Sequence, residues 1–457
     1  MKKATFVFIL FLAVHSSPAQ IINTICGNGT SGFSGDNGPA LSAILNDAPA
    51  ICADRFGNLY IYDYLNARIR KIDSNGIIKT IAGTGTFGHT GDGGPADSAR
   101  IGYSASSVSQ LACDAAGNLY FVEETAPVNF GHCLRRISTN GIITTIAGVN
   151  GPMSPYTGDM GGWADTTHLG AIKGVALDAS GNIYIACSNR ICKVNGAGYL
   201  TTIAGTGAGG NSGDGGMADT AHITAVNITI DLSGNIYFCQ LGAFEVRKIS
   251  PNGIITRFAG TGINGYSGDN GPADSAQINQ AFGLACNSAG DLFIGDDANN
   301  VIRRVDHATH IITTWGGTGQ PGTSGDGCLV SCAKLDGYHQ AALAFGPGDR
   351  LYCCYEFRIR EVTSGTCTCP TGITEATTLL QLTLYPDPAG DELGVSFGQM
   401  IQQGNCKILD LTGREIMSIK LEQQDGLRLN LEGLPAGVYV LSVQTAGGTM
   451  LKKFIKK

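Results

Sequence analysis

The hydrophobic residues of this chain fall in short strand-like runs, and no long stripe with helical spacing interrupts them. In the first unit four such runs follow one another, at Ile51–Ala53, Leu59–Tyr64, Arg68–Asp73 and Ile77–Ala82. The runs are separated by Gly-Asn and Asn-Gly pairs, which supply the positive φ angles that a tight hairpin needs. The pattern therefore predicts a four-stranded antiparallel unit and an all-β protein.

Three signals recur with this unit along most of the chain. The first is a Gly-Asp pair, found at Gly35-Asp36, Gly91-Asp92, Gly158-Asp159, Gly213-Asp214, Gly268-Asp269 and Gly325-Asp326. The second is a glycine turn before an aromatic strand, found at Gly57, Gly117, Gly181, Gly234, Gly290 and Gly348. The third is an apolar strand that ends in a glycine turn, as in KTIAGTG at Lys79–Gly85. The Gly-Asp pairs lie 55 to 67 residues apart, and four strands in a repeat of this length predict the blade of a β-propeller.

The strands add up to six blades. The sixth unit has strands at Ala341–Phe345, Leu351–Tyr355 and Arg358–Val362, but its outer strand is missing. An isolated strand of the missing kind precedes the first unit, at Ile22–Gly29. We expect this strand to complete the sixth blade, because the pairing would remove an open sheet edge.

The motifs between residues 21 and 362 resemble the NHL repeat family. The resemblance is clearest in GNLYIYDYLNARIRKID at Gly57–Asp73 and in GDLFIGDDANNVIRRVD at Gly290–Asp306. Other blades depart from it and carry Cys187, Cys239 or Cys353 near the position where the family prefers Asp. The resemblance implies a propeller with a central channel and faces built from loops. It implies little about activity, because the family includes adhesion modules, RNA-binding domains and lyases, and function has to be argued from a site.

The repeat pattern stops after Val362, and a second domain follows. Residues 363–378 are predicted to be a linker and residues 379–457 a C-terminal domain. Strand-like segments occur at Leu382–Tyr385, Leu393–Phe397, Cys406–Leu411, Glu415–Leu421, Leu427–Leu431 and Gly437–Thr445. Their alternation of apolar and polar residues predicts a small β-sandwich of the immunoglobulin-like kind.

Four motifs of this domain resemble the type A sorting domain of the type IX secretion system in Bacteroidetes. They are LYPDPAGDEL at Leu384–Leu393, DLTGREI at Asp410–Ile416, LPAGVYVLSV at Leu434–Val443 and KKFIKK at Lys452–Lys457. The residues that carry the motifs are Tyr385, Pro386, Asp387, Pro388, Gly413, Leu434, Pro435, Gly437 and Tyr439. Asp387 stands where the family usually has Asn. The resemblance implies that the type IX machinery is a partner and that the protein is secreted or held at the outer-membrane surface; the alternative is an ordinary immunoglobulin-like binding domain.

The N-terminal segment and the overall charge agree with export. Residues 1–19 have two lysines, an apolar run from Phe6 to Val14 and small residues before Gln20, which is the pattern of a secretory signal peptide. The apolar run is too short to span a bilayer. The propeller is therefore expected to occupy residues 20–362. The formal net charge of -7, without a cluster of Lys or Arg, makes nucleic acid an unfavourable partner.

The chain has 15 cysteines, and the cysteines of an exported protein can be oxidised to disulfides outside the cytoplasm. Disulfides are predicted among the six that crowd the last blade and its exit, namely Cys328, Cys332, Cys353, Cys354, Cys367 and Cys369. A zinc site is the alternative, but Cys-Cys and Cys-x-Cys spacings fit a zinc ribbon poorly. Cys52, Cys113 and Cys286 lie in apolar strands and are expected to behave as small buried hydrophobic residues.

Candidate chemistry is sparse. His168 and His222 occupy matching positions in blades 3 and 4, where other blades carry Ile44, Arg100, Gln277 and Lys334. A position with such varied side chains is more typical of a solvent-facing loop than of a metal site, so the two histidines are only weak metal candidates. Asp92 with Asp97, Asp214 with Asp219, and Asp269 with Asp274 could offer oxygens to Ca²⁺, but Ca²⁺ needs six to eight ligands. The Asp residues are more simply explained as caps of glycine turns.

No nucleophile-elbow or zinc-protease motif occurs in the sequence. We therefore expect no catalytic residues and no cofactor, and interpret the protein as a non-catalytic binding or scaffold propeller at the cell surface or in the medium. The alternative hypothesis is an extracellular lyase or hydrolase that acts on a glycan, peptide or lactone at the mouth of the channel. The two hypotheses differ in whether three or more His, Asp or Glu side chains converge there.

Overall fold

The structure is a computed structural model that describes residues 19–102, 110–124, 131–149, 156–157, 161–336, 342–355, 357–365, 382–386, 388–410, 415–445 and 448–457. The predicted signal peptide, apart from its last residue, and the predicted linker from residue 366 onward lie outside these ranges. The chain divides into two compact units, one that extends to Thr368 and one that begins at Cys369. In the described part of the chain no helix is long and apolar enough to cross a membrane.

The first unit contains six antiparallel sheets of four main strands, and each sheet is one blade. The strands of blades 1 to 3 are Ala50–Ala53, Leu59–Asp63, Arg68–Ile72, Ile77–Ala82; Leu111–Cys113, Leu119–Glu124, His132–Ile137, Ile143–Ala147; and Ile172–Leu177, Ile183–Cys187, Arg190–Val194, Tyr199–Ala204. Those of blades 4 and 5 are Ala225–Ile230, Ile236–Gln240, Glu245–Ile249, Ile255–Ala259; and Ala281–Cys286, Leu292–Asp296, Val301–Val305, Ile311–Gly316. Blade 6 contains Leu343–Gly346, Arg350–Tyr355, Arg358–Ser364 and Gln20–Cys26. The predicted strands of blade 1 are thus confirmed to within one residue at each end, and the three predicted for the sixth unit to within two.

The strand Gln20–Cys26 closes the ring, as the sequence predicted. It pairs antiparallel with Arg358–Ser364, and Ile22 lies opposite Val362. The strand begins earlier and ends earlier than the predicted Ile22–Gly29, because Gly27 takes a φ of 85° and turns the chain away from the sheet. The first ordered strand of the chain therefore forms the outer strand of the last blade, and no blade is left with an unpaired edge at this position.

The described segment that follows each Gly-Asp pair runs along the outer edge of the blade it precedes. In blades 1, 3, 5 and 6 it adds a two-residue fifth strand, at Gly38–Pro39, Gly162–Trp163, Gly271–Pro272 and Cys328–Leu329. A single 3₁₀ turn follows, at Ala40–Ser42, Ala96–Ser98, Ala164–Thr166, Ala218–Thr220, Ala273–Ser275 and Val330–Cys332. Two further 3₁₀ turns, Tyr64–Asn66 and Asp297–Asn299, connect the second and third strands of blades 1 and 5. The Gly-Asp loops thus protect the outer edges with backbone hydrogen bonds.

The hydrophobic core of the ring lies between neighbouring blades. Six clusters of buried side chains occupy the six junctions; in the first, Tyr62 of blade 1 packs edge-on against Phe121 of blade 2, with ring centroids 6.1 Å apart. Burial of apolar surface between blades, at about 25 cal/mol per Å², is what holds such a ring together. Every blade depends on its two neighbours.

The described C-terminal domain is a single hydrogen-bonded sheet. Its strands are Thr383–Tyr385, Glu392–Leu409, Glu415–Asn430, Gly437–Thr445 and Gly448–Lys456. The long strands Glu392–Leu409 and Glu415–Asn430 each contain two of the predicted segments, and together the strands enclose one apolar core that includes Phe397, Leu441 and Phe454. The observed strands form one continuous hydrogen-bonded sheet around this core. The division into two separate sheets therefore stays a prediction.

The disulfide predictions for Cys332, Cys353 and Cys354 need correction, and the one for Cys328 does not. Cys332, Cys353 and Cys354 carry free thiols, whereas Cys328 is disulfide-bonded; Cys367 and Cys369 lie outside the described residues. The reason for the error is the strand geometry: adjacent residues on a strand point to opposite faces. Cys353 and Cys354 are accordingly buried in two different inter-blade cores.

Candidate functional site

The central channel is a cavity of about 310 Å³, lined by the innermost strands of all six blades. Side-chain amides bridge it from blade to blade. Oε1 of Gln110 accepts a hydrogen bond from the backbone N–H of Val175 at 2.8 Å, and its Nε2 donates to the carbonyl of Ile228 at 2.9 Å. Asn227 in turn donates to the carbonyl of Phe282. These hydrogen bonds connect blades 2, 3, 4 and 5 across the channel, whose described lining consists mainly of apolar side chains, amides, thiols and backbone.

Cysteine thiols are the reactive groups in this channel. Sγ of Cys52 in blade 1 lies 2.6 Å from Sγ of Cys113 in blade 2, and Cys286 of blade 5 also lines the cavity. Burial raises the pKa of Cys286 to about 12. Burial, followed by the contact with Cys113, also raises the pKa of Cys52. Since the thiolate is the nucleophile, the thiols of Cys52 and Cys286 are poorly suited to nucleophilic catalysis.

A buried arginine in the middle of the third strand binds the Asp of the Gly-Asp loop. Arg70, Arg135, Arg247, Arg303 and Arg360 are all fully buried and donate to Asp36, Asp92, Asp214, Asp269 and Asp326 at 2.7 to 2.8 Å. The same guanidinium groups donate to backbone carbonyls of the loop, such as that of Ser212 at 3.1 Å from Arg247. We call this arrangement the loop clamp. The sequence suggested a glycine-turn cap for these Asp residues, and it missed the arginine.

The loop clamp accounts for the calcium and metal candidates. The carboxylates of Asp92, Asp214 and Asp269 already accept hydrogen bonds from guanidinium groups. Although burial acts to raise it, hydrogen bonds from Thr145 and Arg135 lower the pKa of Asp92. His222 takes part through its backbone carbonyl, which accepts from Arg247 at 3.1 Å, while its side chain faces solvent. This explains why the side chain at this position varies so widely between blades.

His168 lies at the corresponding place in blade 3, where its backbone N–H donates to Oγ1 of Thr157 at 3.2 Å. Within the described ranges, the structure has no group of three or more His, Cys, Asp or Glu side chains arranged to hold a metal ion. The two histidines belong to different blades and are not brought together with a carboxylate in such a group.

Blades 1, 2 and 5 add a second buried carboxylate to the clamp. Asp63, Glu123 and Asp296, at the end of the second strand, accept from the same arginines at 3.1 to 3.3 Å. Burial raises the pKa of Asp296 to about 6 against the opposing effects of Asn299, Asn279 and Arg303. In blade 2, His89 joins the cluster with its Nδ1 at 2.8 Å from Oε2 of Glu123. None of these residues is among those that line the channel.

Acidic side chains also stabilise the turns between the first and second strands, at the other end of the blades from the Gly-Asp loops. In blades 1 to 4 an Asp after the first strand accepts two backbone N–H bonds, a bond from an Asn amide and a bond from a Tyr hydroxyl. The residues are Asp54, Asp114, Asp178 and Asp231, with distances of 2.7 to 3.1 Å. This satisfies the turn between the first and second strands.

Blade 3 departs from the clamp pattern. Cys192 stands where other blades have the buried arginine, and Cys187 stands where blades 1 and 5 have the second carboxylate. Their Sγ atoms lie 3.5 Å apart, and the hydroxyl of Tyr156 lies 3.0 Å from Sγ of Cys192. The hydrogen bond with Cys187 lowers the pKa of Cys192, against the effect of burial. The partner position, Asp159, lies outside the described residues.

Blade 4 departs in a different way, and the change opens a pocket. Gln240 and Glu245 face each other across the second and third strands, where blade 1 has Asp63 and Arg68. A cavity of about 180 Å³ lies beside them, lined also by Leu241, Gly242, Phe244, Gln280, Ala281 and Phe282. We call it the blade 4 pocket. In the sequence, this difference is visible as RIRK in blade 1 and EVRK in blade 4. The change was not recognised as a sign of a pocket.

The described sorting-motif residues include some that pack into the core of the second domain and some that are exposed. The hydroxyl of Tyr439 donates to the carbonyl of Pro435 at 2.8 Å, and its ring stacks on Phe454 at 5.8 Å between centroids. Leu434 packs against the apolar core, and Nζ of Lys456 donates to Asp391 at 2.8 Å. Tyr385 and Pro388 are exposed, Gly437 begins its strand, and Pro386 follows Tyr385. Asp387 and Gly413 lie outside the described residues.

A comparison with known protein families identifies this domain. Residues 383–457 match the family model described as "Secretion system C-terminal sorting domain". The C-terminal domain is a type IX sorting domain. The protein is therefore exported by type IX secretion, to the cell surface or the medium.

The propeller is similar in fold to proteins from Bacteroides. A solved protein of unknown function from Bacteroides thetaiotaomicron has a TM-score of 0.52 at 18% identity, and the match covers 76% of each chain. A protein described as an auxiliary nutrient binding protein from Bacteroides ovatus has a TM-score of 0.52 at 14% identity, over 77% of this chain and 78% of that one. At these identities the likeness shows the fold, an NHL-like β-propeller.

Among curated proteins the chain is similar to teneurins. Human teneurin-4 is 25% identical over 252 residues, which are 48% of this chain and 8% of teneurin-4. Mouse teneurin-3 is 24% identical over 332 residues, 65% of this chain and 12% of teneurin-3. The match therefore spans only about a tenth of the length of these relatives.

Proposed function

We propose that this protein is a non-catalytic extracellular binding protein, delivered by type IX secretion, that holds its ligand on one face of the propeller. We name this the upper face. It is built from the turns between the second and third strands of each blade, such as residues 241–244, together with the loops that follow the outer strands. The opposite, lower face carries the turns between the first and second strands.

The observation that carries the proposal is the blade 4 pocket on the upper face. In blades 1, 3 and 6 an arginine fills the corresponding position and binds loop carbonyls. In blade 4 the position holds a carboxylate beside an open cavity with an apolar rim that includes Leu241 and Phe282. A concave apolar pocket with a few directed polar groups is the usual form of a ligand site.

The rest of the ring acts as a rigid frame for this face. The clamps hold the loops with buried guanidinium groups, and sites built on rigid elements keep their geometry. An extracellular protein or glycan is the ligand class that an exported propeller would meet, and the acidic balance of the chain disfavours nucleic acid. The alternative, a lyase or hydrolase, would require convergent catalytic side chains at the channel mouth.

A binding array with matched variants tests the proposal. The purified full-length protein would be labelled and probed on arrays of glycans and peptides, and any bound compound would be recovered and analysed by mass spectrometry. We expect saturable binding of a compound that is recovered unchanged. Recovery of a cleaved or isomerised compound, or an absence of binding on both arrays, would contradict the proposal.

Two leucines of blade 4 provide the control for the face. Leu241 lies in the turn on the upper face, whereas Leu232 is 80% exposed in the turn on the lower face. Leu241→Ser should weaken binding of the array compound several-fold, and Leu232→Ser should leave it unchanged. The reverse result would place the site on the lower face.

A further inference from the structure

The first residue of the third strand has one role in three of the blades. Arg68, Arg190 and Arg358 stand there in blades 1, 3 and 6. Arg68 donates to the carbonyl of Asn66 at 2.8 Å and to that of Thr84 at 3.1 Å. Arg190 does the same with Ser188 at 3.3 Å and Thr206 at 3.1 Å. The guanidinium thus joins the turn before its own strand to the loop after the outer strand.

Blade 4 has the acceptors of this arrangement but a carboxylate in place of the guanidinium. By position, the carbonyls of Ala243 and Thr261 correspond to those of Asn66 and Thr84. Both the Ala243 carbonyl oxygen and Oε2 of Glu245 lie 3.7 Å from the point where a side chain of Gly262 would start. These two oxygens therefore lie beside the place that a guanidinium occupies in blades 1, 3 and 6, where Arg68, Arg190 and Arg358 lie against the matching glycines.

The carboxylate of Glu245 is held at the edge of the blade 4 pocket. Glu245 is 3% exposed, and its Oε1 accepts a hydrogen bond from Nδ2 of Asn211 at 3.3 Å. Within the described part of the chain, Oε2 has no hydrogen-bond partner. Arg247 is already bound to Asp214, and Arg257 lies exposed on the outer strand, where its Nη1 reaches the Thr261 carbonyl at 3.5 Å. A carboxylate so shielded from water is stabilised by a cation where the geometry supplies further hydrogen bonds to that cation, as the Ala243 carbonyl would here.

We propose that blade 4 binds a guanidinium group of the ligand between Glu245 and the Ala243 carbonyl, next to the blade 4 pocket, in the place that the protein's own arginines fill in blades 1, 3 and 6. The planar guanidinium presents donors to Oε2 of Glu245 and to the carbonyl of Ala243 at the same time. The aliphatic carbons that carry it pack against the rim formed by Leu241, Phe244 and Phe282. An arginine side chain of an extracellular peptide has this chemistry. This inference rests on the proposed function and names the ligand class for the same face.

Titration calorimetry of the full-length protein with Nα-acetyl-arginine amide tests the inference. The amide of Nα-acetyl-citrulline, which has the same shape without the charge, is the matched control compound. We expect the arginine compound to bind at least ten-fold more tightly than the citrulline compound. Equal affinities, or no binding of either compound, would overturn the inference.

Two substitutions at the same residue complete the test. Glu245→Gln keeps the shape of the side chain and should weaken binding of the arginine compound by ten-fold or more. Glu245→Arg introduces the guanidinium found in blades 1, 3 and 6, so the variant should fold and should lose binding entirely. Binding that is unchanged in both variants would overturn the inference. If a compound found on the arrays still binds the Glu245→Arg variant with full affinity, the inference fails while the proposed function stands.

Discussion

The guanidinium of Arg303 is fully buried, and its Nη2 lies 2.8 Å from Oδ1 of Asp269, a residue of the loop that precedes the blade. Nη1 of the same side chain lies 3.3 Å from Oδ2 of Asp296, which is also fully buried. One buried cation therefore joins a surface loop to the interior of a blade. This ion pair explains why the Gly-Asp pair recurs along the sequence.

Replacement of this cation should destabilise the protein strongly. Arg303→Met leaves Asp296 buried without its partner, and the loss of one member of a buried pair typically costs about 3 to 5 kcal/mol. Arg350→Met is the control, because the Arg350 side chain is 58% exposed and its pair with Glu361 lies at the surface; surface pairs contribute about 1 kcal/mol or less. The two free energies of unfolding can be measured by urea denaturation, and equal losses would contradict the role of the clamp.

The glycine of the Gly-Asp pair should be far less tolerant than a nearby glycine in the same loop. Gly91 and Gly93 have φ angles of 92° and 79°, so both pay a similar backbone cost when mutated to Ala. A Cβ on Gly91 would lie 2.8 Å from Cβ of Ala99, whereas one on Gly93 would have nothing within 4 Å. Gly91→Ala should therefore lose about 1 to 3 kcal/mol more than Gly93→Ala. Thermal unfolding of the two variants measures the difference, and its absence would show that the loop is not tightly packed there.

The N-terminal strand should be as important to the ring as any internal strand. Ile22 is fully buried in the core between blades 5 and 6, while the next residue, Asn23, is exposed. Ile22→Ala should lower the free energy of unfolding by about 2 to 5 kcal/mol, the usual cost for a buried Ile. Asn23→Ala should lower the free energy of unfolding much less, because it removes only the hydrogen bond that Asn23 accepts from the backbone N–H of Gly327. A small effect of Ile22→Ala would mean that the ring closes without this strand.

The buried imidazole of His132 should make the propeller sensitive to mild acid. Burial lowers the pKa of His132 from 6.5 to about 4. A depressed pKa in the folded state means that the contribution to stability is present above about pH 6.5 and is lost as the pH falls toward 4. Linkage gives a loss of about 2 kcal/mol between pH 7 and pH 5.

The effect is measured as a difference between the wild type and His132→Gln, by urea unfolding at pH 7 and pH 5. The difference is needed because Asp296, whose pKa burial raises to about 6, acts in the opposite direction over part of this range. The wild type should lose about 2 kcal/mol more than the variant. Identical losses would show that His132 does not titrate in a buried environment.

Much of the fold could be predicted because its signals are local. Gly57 has a φ of 82° in the hairpin turn that the sequence placed there, and Ile22 pairs with the last blade as the count of strands required. The disulfide predictions were wrong for Cys332, Cys353 and Cys354, because crowding in the sequence does not show which face of a strand each side chain occupies.

The candidate site could be predicted less well, because it depends on contacts between distant segments. Arg70 was visible in the RIRK motif, but the side chain of an arginine in a strand is usually exposed to solvent. Its burial depends on Asp36, which is 34 residues away. Glu245 was likewise one substitution in a repeat, and its meaning appears only when the carbonyls of Ala243 and Thr261 are seen beside it.

A crystal structure of the full-length protein with the compound identified on the arrays would show directly whether the upper face binds the ligand. We expect an intact ligand on the upper face, in contact with residues 241–245 and 280–282, and a ring whose clamps have not moved. A ligand in the central channel with a broken bond, or a ligand on the lower face, would rule out a non-catalytic site on the upper face.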